Sequence, residues 1–384
     1  MRGAEAVLAC LREQDVDTVF GYPGGMILPL YDALYGQTEI RQILVTHEQN
    51  AAHAADGYAR ATGRVGVCIA TSGPGATNLV TGIATAYMDS IPMVAITGQV
   101  DLEMLGRDAF QETDILDVTM PVTKHNYKIK NAADLVPTIR EAFALARSGR
   151  PGPVLIDVPR NLFFEEVAYT AQKLVEHQPG KPDADFIICA AEAAAEIVNA
   201  ERPLVIVGGG VISAGASAET VAFIEKYQLP VVHTLMGMGA VPSTHPQMLG
   251  FIGMHGAKAA NYAVGAADLV IALGSRFADR LTGNLSKFTA NRRFIHIDID
   301  PAEIDKIVGS SIGLAGDMRV VLNLLMRKEP KRDHTAWWQQ IHTWQEEFED
   351  DYHVNSLTVP WALHQVTRMT AGKAYAYATD VGQH

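Results

Sequence analysis

Residues 65–78 read VGVCIATSGPGATN, and this stretch decides the fold class. It opens with the apolar run VGVCIA, which is typical of a strand buried in a sheet. The glycine-rich turn SGPG follows, and a helix is predicted to begin at residues 76–78. A buried strand that leads through a glycine turn into a helix is the repeating unit of a parallel sheet covered by helices.

The same alternation of apolar runs and helical stretches extends to both sides. The runs DTVFGYPGG, QILVTHE, IPMVAITGQV and GPVLIDVPR predict further strands of one parallel sheet. A second set, RPLVIVGGG, LPVVHTLMG, ADLVIALGSRF and RRFIHIDID, predicts another sheet later in the chain. We therefore predict an α/β protein with two doubly wound domains, at residues 1–165 and 185–326, joined by a polar linker at residues 166–184.

The C-terminal part of the sequence is predicted to leave the second domain. Residues 327–372 contain the charged, tryptophan-bearing stretch TAWWQQIHTWQEEFEDD and a shorter helical stretch, which predict a helical connector. The alternating residues KAYAYAT, at residues 373–379, predict a buried strand, and the polar cluster DVGQH follows. Residues 373–384 are therefore expected to begin a third domain.

Composition narrows the class of protein. The 384 residues carry a net charge of −12 without a basic cluster, which argues against nucleic acid as a partner. No apolar run reaches the length of a membrane-spanning helix, and an amphipathic helix is predicted from the first residues, so we expect a cytoplasmic protein without a membrane partner. The three cysteines, Cys10, Cys68 and Cys189, lie in apolar segments and are expected to be buried thiols.

The stretch THEQNAAHAADGYARATG contains the first candidate for chemistry. Glu48 follows a predicted strand, at the edge where ligands of open α/β sheets bind. The helix after it has a face of alanine and glycine, so another surface can approach it closely. The alternative for Glu48 is a surface carboxylate that caps this helix.

Two glycine-rich turns are the next candidates. SGPG offers the free N–H groups of a helix N-terminus to a ligand, although on spacing alone a tight turn that needs glycine geometry is the favoured explanation. VIVGGGVISAG departs from the dinucleotide pattern G-x-G-x-x-G because Ser213 takes the sixth position, so a standard NAD site is weakly supported. Another nucleotide-like ligand remains open, because polar side chains follow the neighbouring strands at Arg276, Arg280, Asp298 and Asp300.

Ten segments together resemble one family, the large catalytic subunit of acetohydroxyacid synthase, also called acetolactate synthase. Their order and spacing match that thiamine diphosphate (ThDP)-dependent family over essentially the whole chain. The DAFQE and GMHG…RFADR segments are more particular to it than to sister enzymes such as pyruvate oxidase. The segments are FGYPGG, HEQ, GYARATG, TSGPGATN, TGQV, DAFQE, SGRPGPVLIDVP, GMHG, RFADR and HIDIDPAEI.

The resemblance implies three cofactors, ThDP, FAD and Mg2+, and a separate binding role for each domain. It implies a pyrimidine-binding domain for ThDP at residues 1–165, a central FAD-binding domain at residues 185–326 and the start of a diphosphate-binding domain at residues 373–384. The Gly-Asp-Gly…Asn motif that binds Mg2+ in the family does not occur in this sequence, so ligands for Mg2+ are not expected within it. The resemblance therefore implies a chain truncated at its third domain, and residues 1–384 alone are not expected to form acetolactate.

The resemblance also assigns roles to single residues. Glu48 would be the catalytic carboxylate that activates the cofactor through its pyrimidine ring, and Gln111 would orient the second 2-ketoacid. The substrate pocket would contain Gly25, Phe110 and Gln111; a core position for Phe110 and a solvated loop for Gln111 are the alternatives. The other residues implied to contact ThDP are Tyr22, Pro74, Asn78, Gln383 and His384.

For FAD, the resemblance implies contacts from one loop residue of the first domain and from six loops of the second. Arg150 would bind the phosphate or ribose, with a solvated loop position as its alternative. Methionines near residue 236 suit a flavin ring, although core filling explains them almost as well. The remaining implied contacts are Gly208, Gly209, Gly210, Thr234, Leu235, Met236, Met254, His255, Gly256, Gly274, Ser275, Arg276, Asp298, Ile299 and Asp317.

The function implied is the condensation of pyruvate with pyruvate or 2-ketobutyrate in isoleucine and valine biosynthesis. A homodimer or homotetramer and a small regulatory subunit are the implied partners. The alternatives are a related ThDP enzyme, such as a pyruvate oxidase, and a non-catalytic FAD-binding remnant. Five positions depart from the family pattern and leave the choice of second ketoacid open, namely Met26, Asn50, Asp101, Arg107 and Arg160.

Overall fold

The computed structural model describes residues 1–174, 180–348, 357–375 and 377. The chain divides into two compact units, Met1–Gly180 and Lys181–His384. Each unit contains a six-stranded parallel sheet with helices packed against it. The predicted class, an α/β protein with two doubly wound sheets, is therefore confirmed.

The sheet of the first unit has the strand order β2-β1-β3-β4-β6-β5. Its strands are β1 (Thr18–Gly21), β2 (Arg41–Leu44), β3 (Gly66–Ala70), β4 (Met93–Gln99), β5 (His125–Lys128) and β6 (Pro153–Pro159). Its helices are α1 (Gly3–Glu13), α2 (Leu28–Tyr35), α3 (Glu48–Thr62), α4 (Pro74–Asn78), α5 (Val80–Met88), α6 (Ile115–Thr119) and α7 (Leu135–Arg147). Short 3-10 turns lie at Leu102–Met104, Met120–Val122, Ala132–Asp134 and Arg160–Phe163.

Both faces of this sheet are covered, which explains why strand β3 is apolar along its whole length. Val67 and Ile69 of β3 pack in one layer with α1 and α7. Cys68 and Ala70, which point to the opposite face, pack with the alanine-rich α3 and with α5. Because successive side chains of a strand alternate between faces, burial of both faces favours apolar residues at successive positions.

The sheet of the second unit has the order β12-β11-β10-β7-β8-β9. Its strands are β7 (Pro203–Val207), β8 (Val231–His233), β9 (Met248–Phe251), β10 (Leu269–Leu273), β11 (Arg293–Asp298) and β12 (Ile312–Ala315). Its helices are α8 (Ala184–Asn199), α9 (Gly209–Ser213), α10 (Ser217–Tyr227), α11 (Lys258–Ala266), α12 (Asp279–Thr282), α13 (Leu285–Thr289), α14 (Met318–Leu325), α15 (Thr335–Phe348) and α16 (Val359–Thr370). A 3-10 turn lies at Leu235–Gly237.

The tryptophan-bearing helix α15 packs into this second unit. Trp337 is 3% exposed and Ile341 is fully buried, and both belong to the same apolar cluster as Leu204 and Ile206 of β7. The indole N–H of Trp337 donates to the carbonyl of Pro203 at 3.0 Å. The stretch that suggests a connector in the sequence therefore completes one face of the second sheet.

Three strands and one thiol differ from the sequence predictions. The sequence did not indicate β5, β9 and β12, which lie at or next to sheet edges and are short or polar. Residues 373–375 form a bend and irregular backbone rather than the expected strand, since no described strand pairs with them; residues 376, 378 and 379 of that stretch lie outside the described residues. Cys10 and Cys68 are buried as predicted, but Cys189 is half-buried because it lies near the exposed start of α8.

Among the described helices, none combines the length and apolarity needed to span a membrane.

Candidate active site

Glu48 lies at the start of α3, beyond the carboxyl end of β2, and its side chain is 9% exposed. The cap of this helix comes from the preceding residue, because the backbone N–H of Gln49 donates to Nδ1 of His47 at 3.1 Å. The carboxylate of Glu48 instead turns toward the next loop, where Nδ2 of Asn78 donates to its Oε2 at 2.9 Å. This buried position is not that of a solvated helix cap.

The glycine turn after β3 brings the backbone of a second loop against this carboxylate. A Cβ added to Gly75 would lie 2.7 Å from Cγ2 of Thr71 and 3.3 Å from Oε1 of Glu48. The hydroxyl of Thr71 also accepts the backbone N–H of Met26 at 3.1 Å, which ties the loop after β1 to the same place. The absence of a side chain at Gly75 therefore lets Thr71 and the Glu48 carboxylate pack closely against the backbone of this turn.

Gly73 is needed for a contact with the loop after β4. Its φ of 58° is a left-handed conformation, and a Cβ there would lie 2.7 Å from the carbonyl oxygen of Gln111. Gln111 itself has a φ of 59°, so its backbone is held in a conformation that glutamine rarely adopts. The loops after β3 and β4 are therefore fitted to each other at the residue that the sequence predicts to orient substrate.

The remaining predicted residues of this edge are accessible. Phe110 is 83% exposed and Tyr22 is 41% exposed, so neither is a core aromatic. A Cβ on Gly25 would meet no atom of the described chain within 4 Å. Since β1 to β4 are parallel, all these loops, together with Pro74 at the first position of α4, lie at the carboxyl edge of one sheet.

Arg150, which was predicted to contact FAD, lies away from this group. Arg150 precedes β6 and therefore lies at the amino edge of the sheet, where its Nε donates to Oγ of Ser90 at 2.8 Å. Gln383 and His384 lie outside the described residues.

In the second unit, the six predicted FAD loops all follow the carboxyl ends of parallel strands. Strands β8 and β9 lie on one side of the neighbours β7 and β10, while β11 and β12 lie on the other side. The order in which successive strands are added across the sheet therefore reverses between β7 and β10. Such a switch point is where open α/β sheets bind ligands. The predicted loops lie at residues 208–210, 234–236, 254–256, 274–276, 298–299 and 317.

At this switch point, the loops after β7 and β10 are in backbone contact. The N–H of Gly210 donates to the carbonyl of Gly274 at 3.1 Å. A Cβ on Gly208 would lie 2.1 Å from that same carbonyl oxygen, and a Cβ on Gly209 would lie 3.0 Å from Cβ of Met236. Glycine at these positions therefore allows the two loops to approach each other and leaves only backbone at the bottom of the crevice.

The rim of this crevice is apolar and exposed. Leu235 is 65% exposed, Met254 is 62% exposed and Met238 is 58% exposed, so core filling does not explain them. Ile299 is exposed at the end of β11 as well. An accessible apolar rim over a polar backbone floor is the composition expected of a site for a flat aromatic ring with a polar tail.

Buried polar groups support these loops from below. His296 of β11 is 1% exposed, and its Nε2 carries the proton that bonds the carbonyl of Ser275 at 2.9 Å. Burial is the main cause that lowers the pKa of His296, so its imidazole stays neutral. Farther along the edge, Asp317 caps α14 by accepting the backbone N–H groups of Arg319 and Val320, at 3.0 and 3.1 Å. The predicted role of Asp317 as a ligand contact therefore competes with its role as a helix cap.

The sequence interpretation missed a buried polar cluster that adjoins the first site. Asp157 in the middle of β6 is fully buried and bonds Thr97 and Gln99 of β4. The signal was available, because an aspartate interrupts the apolar run PVLIDVP. A buried acid in a central strand needs specific partners. Within the described ranges, no three acidic, histidine or cysteine side chains come together in a way that could hold a metal ion.

Comparisons with known proteins first define the class. Residues 1–118 match the family model "Thiamine pyrophosphate enzyme, N-terminal TPP binding domain", and residues 190–325 match "Thiamine pyrophosphate enzyme, central domain". The chain is thus built from two domains of thiamine pyrophosphate enzymes, the first of them a cofactor-binding domain.

Individual relatives then specify the family. An acetolactate synthase large subunit from Parasynechococcus marenigrum is 46% identical over 100% of this chain and 64% of its own length. A probable acetolactate synthase large subunit from Methanocaldococcus jannaschii is 49% identical over 89% of this chain and 59% of its own length. The isozyme 3 large subunit from Escherichia coli is 43% identical over 100% of this chain and 69% of its own length. The chain belongs to the acetolactate synthase large subunit family, and it spans less than two thirds of the length of the first two of these relatives.

Proposed function

We propose that the protein is the large, catalytic subunit of an acetolactate synthase. It would condense pyruvate with a second pyruvate or with 2-ketobutyrate and release CO2, within the biosynthesis of valine and isoleucine. The observation that carries this proposal is the buried carboxylate of Glu48, bonded by Asn78 and packed against the glycine turn at Gly75. A single buried carboxylate at the carboxyl edge of a TPP binding domain fits a group that shares one proton with a bound ring.

In this proposal, the residues of the chain hold and orient the cofactor. Thiamine diphosphate supplies the reactive carbon and the electron sink when it is bound. Oε1 of Glu48 would hold the proton shared with the pyrimidine ring, while Asn78 keeps the carboxylate in place through Oε2. Tyr22 and Pro74 would line the ring, and Gln383 and His384 would contact the diphosphate.

The substrate would bind beside this group. Gln111 would orient the second ketoacid with its side-chain amide, and its fixed backbone would keep the amide in one position. The exposed ring of Phe110 and the open space at Gly25 would form the apolar wall and the entrance.

The second unit would bind FAD across the crevice between the loops after β7 and β10. The glycine backbone would meet the polar part of the nucleotide, and the exposed leucine and methionine side chains would cover the flavin ring. Because the condensation transfers no net electrons, FAD would act as a structural group. Arg150 is proposed as a further contact of FAD.

The wider assignments follow from the same proposal. Residues 1–165 and 185–326 would be the pyrimidine-binding and FAD-binding domains. Mg2+ is proposed to bind together with the diphosphate of the cofactor, although the described residues contain no ligand cluster for it. The relatives are named large subunits, which supports a smaller partner subunit here. We further propose a homodimer or homotetramer in the cytoplasm.

Product analysis tests this function. The protein, purified in the length in which the cell produces it, is incubated with pyruvate, ThDP, Mg2+ and FAD, and acetolactate is measured by mass spectrometry. Omission of ThDP should abolish the product, and addition of 2-ketobutyrate should yield the mixed acetohydroxybutyrate. Formation of acetate or acetyl phosphate without acetolactate would contradict the proposal.

A further inference from the structure

Asp157 is a fully buried acid in a central strand. Strand β6 pairs with β4 in parallel, and the register places Thr97 opposite Asp157. The hydroxyl of Thr97 donates to Oδ1 at 2.7 Å, and Nε2 of Gln99 donates to Oδ2 at 3.0 Å. Both carboxylate oxygens are therefore engaged by side chains of the neighbouring strand.

The amide of Gln99 links this acid to the loop that contains Gln111. Its Nε2 also donates to the carbonyl of Thr113 at 3.0 Å, so one amide nitrogen bridges the strand and the loop. Its Oε1 accepts the backbone N–H of Val100 at 2.9 Å, which fixes which end of the amide carries the donors. Thr113 lies two residues after Gln111, so this bond holds the loop close to the predicted substrate contact.

The other side of the loop has its own anchor. The carboxylate of Glu112 accepts the backbone N–H groups of Gly106 and Ala109, at 2.5 and 3.0 Å. These bonds close residues 106–112 into a compact turn that is exposed to solvent. The bond from Gln99 to the carbonyl of Thr113 attaches the end of this turn to the buried sheet.

The charged groups around the acid are few. On the adjacent edge strand β5, Lys128 pairs with Asp114 at 3.2 Å. Lys128 lowers and Asp114 raises the pKa of Asp157, but burial is the larger effect and raises this pKa to about 7. An amide has nearly the shape of this carboxyl group but carries no charge. Substitution of Asp157 by asparagine can therefore distinguish the effect of the shape of the side chain from the effect of its charge.

We propose that Asp157 is a positioning residue for the substrate loop: it orients the amide of Gln99, and this amide holds the carbonyl of Thr113 and with it the backbone of Gln111. The inference rests on the proposed function for the role of Gln111 in catalysis. The contact between the strand and the loop does not depend on that role, so it can be tested separately.

Hydrogen–deuterium exchange of the peptides that cover residues 100–116 tests the contact. Gln99→Leu removes the bridging amide, and Asp157→Ala removes the group that orients it. Both substitutions should raise the exchange rate of the backbone amides of the turn by about ten-fold, which is the effect expected from the loss of one buried hydrogen bond. Far-UV circular dichroism of each variant establishes that the fold is retained.

Two variants in the same cluster serve as controls. Thr97→Val removes the other hydrogen bond to Asp157, but the side chain at position 97 does not contact the loop. Asp157→Asn can still accept from Gln99 while its own amide donates to Thr97, whose hydroxyl can turn to accept. Both should retain the slow exchange of the unaltered protein, so rescue by asparagine separates positioning from general loss of packing.

Kinetics provide a second measurement. With the loop loosened, Gln99→Leu should lower kcat/KM for the second ketoacid by about ten-fold while ThDP binding stays unchanged. Unchanged exchange in Gln99→Leu, or equally fast exchange in Thr97→Val, would overturn the inference. A failure of the proposed function would instead appear as absence of acetolactate from the unaltered protein, and the exchange result does not depend on that product.

Discussion

Replacement of Asp157 by asparagine should remove a pH dependence of stability from the first unit. In the folded protein, burial raises the pKa of this carboxyl to about 7, whereas the unfolded chain titrates it near 4. The folded state therefore binds more protons between these two pH values. The associated stability is fully present below the unfolded pKa and is lost as the pH rises through about 7.

The two pKa values determine the expected size of this effect. Each pH unit in this window corresponds to about 1.4 kcal/mol for one proton. At pH 5.5 part of the loss has already occurred, and the remainder is complete near pH 8. The free energy of unfolding of the first unit should therefore fall by about 2 kcal/mol more in the unaltered protein than in Asp157→Asn over this range.

Thiol labelling in urea can report on the first unit alone. Cys10 and Cys68 are both fully buried in it, so their modification, followed peptide by peptide in a mass spectrometer, measures its unfolding. All four tryptophans lie beyond residue 336, so their fluorescence follows the second unit and serves as an internal control. If the unaltered protein and Asp157→Asn show parallel pH profiles from pH 5.5 to 8, the reasoning about this buried acid is refuted.

Three further substitutions test other parts of the account. Gly208→Ala places a Cβ 2.1 Å from the carbonyl oxygen of Gly274, so the crevice should be displaced and the purified protein should lose its flavin absorbance. Trp337→Ala should lower the free energy of unfolding of the second unit by about 3–5 kcal/mol, whereas Trp361→Ala, at a partly exposed helix position, should change it by about 0.5 kcal/mol or less; urea titrations decide this. Asn78→Ala removes a hydrogen bond to the site carboxylate and should weaken ThDP binding by about ten-fold in calorimetry, and unchanged affinity would argue against that contact.

Apart from β2, the strands that the sequence predicted are largely buried and mainly apolar. Strands buried on both faces, such as β3 and β10, are apolar along their whole length and are easily recognised. The edge strands β9 and β12 are short and partly exposed, so their sequences resemble loops. Their formation depends on a neighbouring strand that supplies backbone partners, and local sequence does not contain this information.

The candidate site likewise contains residues that could be predicted from the sequence and contacts that could not. Glu48 was predictable because a carboxylate after a strand, within a recognisable motif, needs only the parallel topology to reach the sheet edge. The link from Asp157 through Gln99 to Thr113 was not, since it joins residues that are 14 to 58 positions apart in the chain. The position of Arg150 at the opposite edge follows from the topology, whereas its predicted ligand depends on contacts beyond a single sheet.

In the function proposed here, Glu48 is the carboxylate on which the formation of acetolactate depends. The most direct measurement compares the unaltered protein with Glu48→Gln and with Glu39→Gln, an exposed glutamate of the same unit that pairs with Arg12. With pyruvate, ThDP, Mg2+ and FAD, we expect Glu48→Gln to lose acetolactate formation by about a hundred-fold or more while its melting temperature stays unchanged. Glu39→Gln should keep nearly the full rate. If Glu48→Gln keeps most of the rate of the unaltered protein, the account of this site is contradicted.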